Sequence, residues 1–260
     1  MSATISSIHY CPVKSISFQN IKSCKIKKNI GIIGDRIFAF SKGLNFEQVK
    51  IFEKDPEYRR GKWNKILTLK NSPSLNKYNF EYKNDELSLI KNDEKLISIS
   101  INNLEEHSNL SNKLIELESS LLKPIFLLKN QVFPFFDTSH SNNVFNSMSL
   151  INLNSLKDFE LKINKKIELQ RFRGNFYVDG IEPWEERNWI NKTIKINNVS
   201  FKVEKNIPRC VAINLKPKTD DNSLNLLQSL KKSFNHFDMG IYLTALDDGT
   251  VDIENNIELI

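Results

Sequence analysis

At 260 residues, 40% of them hydrophobic and 10% aromatic, the chain is long enough and apolar enough to bury a core, which excludes disorder of the whole. Its 37 Lys and Arg against 31 Asp and Glu leave +6, scattered through Asn- and Ile-rich stretches with no zinc-finger spacing, aromatic-basic RNA signature or dense basic run. The excess therefore reads as solvated surface, and nucleic acid is not an expected partner.

The N-terminal MSATISSIHYCPVKS has no basic start followed by an apolar run, and no stretch approaches the ~18 apolar residues that span a bilayer. A soluble, cytoplasmic protein with no membrane partner is expected. Cys11, Cys24 and Cys210 form no CxxC or CxxxC pair, and the three make an odd number, so neither a disulfide framework nor a structural zinc site is indicated.

In chain order, β-branched and aromatic runs at 5–10, 21–28 and 36–41 are separated by turn formers at Gly31, Gly34-Asp35 and Lys42-Gly43, and read as strands. Short segments at 65–70, 78–83, 86–91 and 96–101 extend this pattern to about residue 102. Leu110, Leu114, Leu117 and Leu121 form the stripe of an amphipathic helix over 109–122, which Pro124 stops. The polar stretch Asp137–Asn146 reads as a loop, and Leu153–Asn164 as a helix. From Arg171 strands return in FYVDG, TIKINNVSFKVEK, VAINL and GIYLTAL, closing after the Asp247-Asp248-Gly249 turn. A mainly β, α+β chain follows, with the break between its halves near residues 123–132.

Two segments carry chemistry. RFRGNFYVDGIEPWEERNW places Arg171 and Arg173 on one side of the expected strand, an arrangement that an edge strand with solvated charges also produces. IPRCVAINLKP sets Cys210 directly after Arg209, at the mouth of an expected strand. A lone cysteine is more often a small buried hydrophobe than a ligand. An adjacent guanidinium nevertheless favours thiolate, the form that acts as nucleophile or soft-metal ligand. Cys11 has no such neighbour in sequence, Lys14 being its nearest basic residue. His9, His107, His140 and His236 are scattered without metal-ligand spacing.

RFRGNFYVDG, EPWEERNW, IPRCVAINLKP and FDMGIYLTALDDGTV, in this order, resemble the MOSC domain, named for its relation to the C-terminal domain of molybdenum-cofactor sulfurases. YCPVKS followed by GDRIFAF resembles the β-barrel domain that precedes it in proteins similar to the mitochondrial amidoxime-reducing component and its bacterial relatives. The resemblance implies an N-terminal β-barrel-like domain over 1–125 and a MOSC β-barrel domain over 126–260. It also implies a bound molybdenum-molybdopterin cofactor, with Cys210 as the protein ligand to the metal and Arg209 beside the oxo-metal centre. Lys14, Ser15, Arg36 and Arg173 stand where the family grips the cofactor phosphate, and Asn175 where it contacts the pterin.

Ser149 and Asn152 fall in the small-polar loop entering a helix, where helix N-terminal amides meet the cofactor's polar edge. Family members commonly carry Ser or Thr at the position aligned with Asn152, and Gly174 replaces the proline usual between the Arg and the Asn. Trp184 and Trp189 are expected to pack on the core of the second domain, and Asp137 or His140 to lie near the cofactor edge as proton donors.

The implied activity is reduction of N-hydroxylated and N-oxide small molecules. With no GxGxxG fingerprint and no four-cysteine ferredoxin pattern in the chain, electrons are expected from a separate ferredoxin-, flavoprotein- or cytochrome-type partner. A different reading makes the protein a sulfur or cofactor carrier through Cys210. A third makes it a cofactor-free binding module, against which stands the joint presence of Lys14, Arg36, Arg173, Asn175, Arg209 and Cys210.

Overall fold

The computed structural model describes residues 3–16, 18–136 and 148–260. The first half contains β1 (Thr4–Tyr10), β2 (Gln19–Ile21), β3 (Ser23–Lys27), β4 (Gly31–Ile32) and β5 (Phe38–Lys42), then the short helices α1 (Phe46–Lys54) and α2 (Pro56–Arg59). β6 (Tyr78–Lys83), β7 (Glu86–Lys91), β8 (Glu94–Ser100), α3 (Leu104–Leu117) and β9 (Ile125–Lys129) follow. The second half runs through β10 (Met148–Asn152), α4 (Leu153–Ile163), β11 (Phe176–Asp179), β12 (Thr193–Ile196) and β13 (Val199–Pro208). It ends with α5 (Leu226–Phe234), β14 (Asp238–Ala245), β15 (Gly249–Asp252) and β16 (Ile257–Leu259).

The fold is mainly β with segregated helices. An eight-stranded sheet runs β16-β12-β13-β14-β10-β11-β1-β2, and smaller sheets are β15-β3-β4, β5-β9 and β6-β7-β8. β10 and β11 are its parallel pair, with α4 as the crossover. Strand β3 shows why the sequence alternates: Cys24 and Ile26 point into the core while Ser23, Lys25 and Lys27 face solvent. Closed barrels were expected, but the large sheet ends at β16 and β2, which do not pair, and among the described residues no sheet closes on itself. Strands from either side of residue 125 pair with each other, β1 with β11 and β3 with β15.

The large sheet separates two cores. One face presents Ile8, Leu150, Phe176, Ile241 and Leu243 to a core shared with β3 and β15. The other presents Ile151 and Tyr177 to α4 and α5 through Phe159 and Leu230. A third core, around Phe38, Phe40, Phe80 and Leu114, fills the first half.

Four expected elements differ. The helix read at 109–122 lies at Leu104–Leu117, because Asn103 caps the Glu105 amide and the chain leaves the helix at Glu118 rather than at Pro124. There Tyr78 donates to the buried Glu118 carboxylate, which also pairs with Lys77 at 2.8 Å. Residues 65–70 make only an isolated bridge, Ile66 with Ser41. VAINL is a 3-10 turn, since β13 makes its last rung between Pro208 and Asp238, the first residue of β14, leaving nothing for 211–215 to pair with. Arg171 and Arg173 do not share a strand: Arg171 lies in a 3-10 turn, Arg173 caps it in the left-handed region, and β11 begins only at Phe176. Helices α1 and α5 were not anticipated.

Gly240 lies in β14 at φ +80°, and a Cβ there would collide with the Leu150 carbonyl oxygen on the neighbouring strand β10. Gly240→Ala is therefore expected to cost about 1–3 kcal/mol or more, since both backbone strain and a backbone clash oppose it. Urea unfolding followed by circular dichroism measures this, and an unchanged midpoint would contradict the close approach.

Candidate functional site

The site begins where two N-terminal motifs run side by side. The Arg36 amide donates to the Cys11 carbonyl at 2.7 Å, Phe38 to Pro12 at 3.0 Å, and Lys14 to Phe38 at 2.8 Å, so YCPVKS and GDRIF form one ribbon. This places Cys11 beside Arg36 and Lys14 beside Phe38. Ser15 and Arg36 both sit at positive φ, 66° and 54°, where the chain turns out of this ribbon. Lys14 is buried despite its charge.

Asp35 is fully buried and its carboxylate is the hub. One oxygen accepts from the Cys11 amide at 2.7 Å. The other accepts from Asn175 Nδ2 at 3.0 Å and from the Arg36 guanidinium. Burial disfavours the charged Arg36 side chain, but the Asp35 pairing outweighs it and holds the Arg36 pKa above its ordinary value. Asn175 reaches further: its Oδ1 accepts from both the amide and the hydroxyl of Ser149 at 3.0 Å, and its Nδ2 also donates to the His9 carbonyl. Four separate segments are thus bound through two side chains.

Arg173 completes the cluster, its Nη2 4.0 Å from the Cys11 sulfur. Burial lowers the Arg173 pKa, with Cys11 opposing that shift and Arg36 adding to it. Burial in turn raises the Cys11 pKa, although both arginines pull it down. Arg209 lies near the same place. Its Nε donates to the Met239 carbonyl and its Nη1 to the Phe172 carbonyl at 2.7 Å, with Nη2 also directed at Met239. Burial lowers its pKa, and the phenol of Tyr242 interacts electrostatically with both Arg209 and Arg36. Tyr242 stands opposite Ser149 across the β10–β14 pair. Cys210 follows Arg209 as the exposed N-terminal cap of the 3-10 turn Val211–Asn214, flanked by the exposed Val211 and Phe237.

The structure therefore gathers Arg36, Ser149, Arg173, Asn175 and Arg209, carries Lys14 and Ser15 on the same ribbon, and leaves Cys210 open to solvent beside them. Asn152 does not join. Its amide caps α4 through the Asn154 nitrogen and donates to the Glu182 carbonyl and the buried Glu186 carboxylate, which also receives Ser155. All three polar bonds found for the Asn152 side chain are thus to the α4 cap, Glu182 and Glu186. Arg171 is likewise structural, bound to Glu168 at 2.7 Å and to the Asn214 carbonyl. Trp189 is buried in the sheet core, and Trp184 packs against the helical one, with its indole donating to Asp158. Asp137 and His140 lie outside the described residues. Sequence reasoning missed Asp35, Cys11 and Tyr242. Asp35 reads as half of a Gly-Asp turn, and the charges around Cys11 arrive only through tertiary contacts.

The donor set suits an anionic group held against a soft metal, with guanidiniums at Arg36, Arg173 and Arg209 and an exposed thiol at Cys210. Ser149 and Asn175 are hydrogen-bonded to each other, and Asn175 also donates to Asp35. Among the described residues no group of three or more His, Cys, Asp or Glu side chains forms a metal site.

Comparison with known proteins matches residues 137–258 to the MOSC domain. The chain is 36% identical over 70 residues to mitochondrial amidoxime reducing component 2 of Rattus norvegicus, covering 27% of this chain and 20% of that protein. It is 29% identical over 126 residues to the molybdenum cofactor sulfurase of Drosophila willistoni, covering 46% of this chain and 16% of the relative. It is also 29% identical over 92 residues to mitochondrial amidoxime reducing component 2 of Bos taurus, covering 35% and 27% of the two chains. The chain thus spans about a quarter or less of the lengths of these curated relatives. Among solved structures, the YUAD protein of Bacillus subtilis superposes with a TM-score of 0.47 at 11% identity, covering 100% of this chain and 96% of that one.

Two expectations follow from the geometry. Iodoacetamide should modify Cys210 in the folded protein while sparing Cys11 and Cys24, whose burial pushes their thiols up, that of Cys24 to about 12. Peptide mass spectrometry reads this directly, and labelling of Cys11 at the same rate as Cys210 would contradict the buried cluster. Asp35→Ala should cost about 3 kcal/mol of stability by stranding Arg36, the Cys11 amide and Asn175, whereas Asp35→Asn, which still accepts hydrogen bonds, should cost less. Equal losses in denaturant unfolding would show that the negative charge, and not the acceptor oxygen that Asn keeps, holds the cluster.

Proposed function

For a chain whose residues 137–258 match the MOSC domain, we propose a molybdenum-cofactor-dependent oxidoreductase that reduces an N–O bond in a small molecule. The observation that carries this reading is the meeting of Arg36, Arg173 and Arg209 from three distant segments around Tyr177 and Tyr242, beside the exposed Cys210 thiol. Two relatives carry the name amidoxime reducing component.

In this reading Cys210 ligates the metal, while Lys14, Ser15, Arg36 and Arg173 hold the cofactor phosphate. When bound, the molybdenum group supplies two-electron reduction with oxygen-atom transfer. The chain's own residues bind and orient. Arg36 and Arg173 offset anionic charge, and Arg209, fixed to two backbone carbonyls, sets a permanent positive charge next to Cys210. The ribbon that joins Cys11 to Arg36 keeps the phosphate-binding side chains at a constant spacing. Reduction of an N-hydroxyl group consumes two electrons and two protons and releases water, with the electrons delivered by a separate ferredoxin-, flavoprotein- or cytochrome-type protein. Among the described residues no helix is long and apolar enough to cross a membrane.

The carrier reading, in which Cys210 holds sulfur or passes on the cofactor, is favoured by the alignment to a molybdenum cofactor sulfurase over 126 residues. One experiment separates the two. The chain and its Cys210→Ala variant are purified from a host that makes molybdopterin, and bound molybdenum and extractable pterin are measured. Near-stoichiometric metal and pterin in the wild type, falling about tenfold or more for metal in the variant, with turnover of an N-hydroxylated substrate by an artificial reductant, are expected of the reductase. Pterin without metal, or sulfane sulfur on Cys210, would establish the carrier, and neither molecule in any preparation would overturn both.

A further inference from the structure

The turn from α5 into β14 carries a second polar cluster, apart from the one gathered around Asp35. Arg187 Nη1 points at His236 Nε2 at 3.2 Å and at an Asp238 carboxylate oxygen at 3.5 Å, and the Asp238 amide donates to His236 Nδ1 at 3.1 Å. Two rings hold the imidazole in place, Phe234 stacked on it and Trp184 edge-on.

These contacts cannot all be satisfied at once. A backbone amide and a guanidinium only donate, whereas a neutral imidazole accepts at one nitrogen and carries its proton on the other. Burial and Arg187 lower the His236 pKa, with Asp238 opposing the shift and Lys231 adding to it, so the ring is neutral at physiological pH. One ring nitrogen therefore presents an N–H to another donor. The Asp238 amide is fixed in the backbone of β14 and keeps Nδ1 as the acceptor. The ring proton then sits on Nε2, where it meets an N–H of Arg187 and, among the described residues, no acceptor. Turning the ring over puts carbon at both positions and loses the one bond that is satisfied.

Two converging donors call for an acceptor between them. Among the described residues Arg187 bonds only through Nη1, which leaves its Nε and Nη2 open. The Arg187 and Asp238 side chains are 29% and 22% exposed, so the cluster is recessed yet reachable. Of the charges acting on the ring, Arg187 and Lys231 are positive and Asp238 is negative. That balance favours a monoanion, since Asp238 repels each further negative charge. A carboxylate has the shape required, with two coplanar acceptor oxygens for a guanidinium edge and a neighbouring N–H.

We infer that Arg187 and His236 form a binding site for a small monocarboxylate, whose oxygens accept from the Arg187 guanidinium and from His236 Nε2–H. It adjoins the strand end that carries Cys210, because Phe237, between His236 and Asp238, accepts the Arg209 amide on its carbonyl at 2.9 Å. None of the residues assigned to the cofactor takes part, so the site holds or fails independently of the reductase reading.

Acetate and acetamide share a shape and differ in charge, and serve as probes. Each is titrated into the full chain carrying nitrogen-15 histidine, at constant ionic strength in sodium chloride, with the His236 ring nitrogens followed by NMR. The free protein should show the Nε2–H tautomer, and acetate should move the Nε2 resonance saturably while acetamide leaves it in place. Arg187→Gln removes the charge and the fork, and should weaken acetate about tenfold, roughly 1.4 kcal/mol. A proton on Nδ1, a shift that acetamide reproduces, no saturable shift with acetate, or undiminished acetate binding in folded Arg187→Gln would each overturn the site. The tautomer and the comparison of the two probes are read in the wild type, so they decide the matter even where the variant does not fold.

Discussion

The carboxylate of Asp35 ties the N-terminal ribbon to the residues that lead into β11. It is fully buried, and a buried charge is tolerated only when its lone pairs are met. They are met by the Cys11 amide, the Arg36 guanidinium and the Asn175 amide group, drawn from three places in the chain. Satisfying Asp35 therefore obliges the N-terminal ribbon to lie against the β10–β11 region, and Asn175 passes the constraint to Ser149 on β10. The arginines of the candidate site inherit their mutual placement from this one buried ion. Its desolvation is repaid locally by hydrogen bonds.

That arrangement explains why the two halves are not independent sheets. β1 enters the large sheet beside β11, and β3 pairs with β15 near the C-terminus, so the first residues complete the second half's sheets before the chain leaves to build β6 to β8. The site lies where the chain crosses between them.

Much of the secondary structure was legible because its signal is local. The strands β6 to β8 and the helix α4 depend on residues close in sequence. The failures share a cause. VAINL has the composition of a strand but no partner, because β14 begins opposite Pro208, and pairing is a tertiary fact. Cys11 has no basic neighbour in sequence yet lies between Arg36 and Arg173 in space. Asn152 looked like a ligand-binding amide and is instead spent on a helix cap and on Glu186. Residue identity and order could reveal which groups are chemically capable; only packing shows which of them are already engaged.

Arg209 shows how an irregularity in a strand places a charge. β13 and β14 slip register between Asn206 and Pro208, where Asn206 faces Ile241 and Pro208 faces Asp238, so that Met239 and Gly240 together stand opposite Ile207. Such a bulge takes a carbonyl out of the ladder. The Met239 carbonyl accepts from two nitrogens of Arg209, and Phe172 accepts from the third, which locks the guanidinium plane beside Cys210. Gly240 is required at the bulge because a side chain there would strike Leu150. A glycine with no chemistry of its own thus determines where the cation next to the exposed thiol sits, and the same bulge lets Tyr242 remain opposite Ser149, linking Arg209 electrostatically to the Asp35–Arg36 pair.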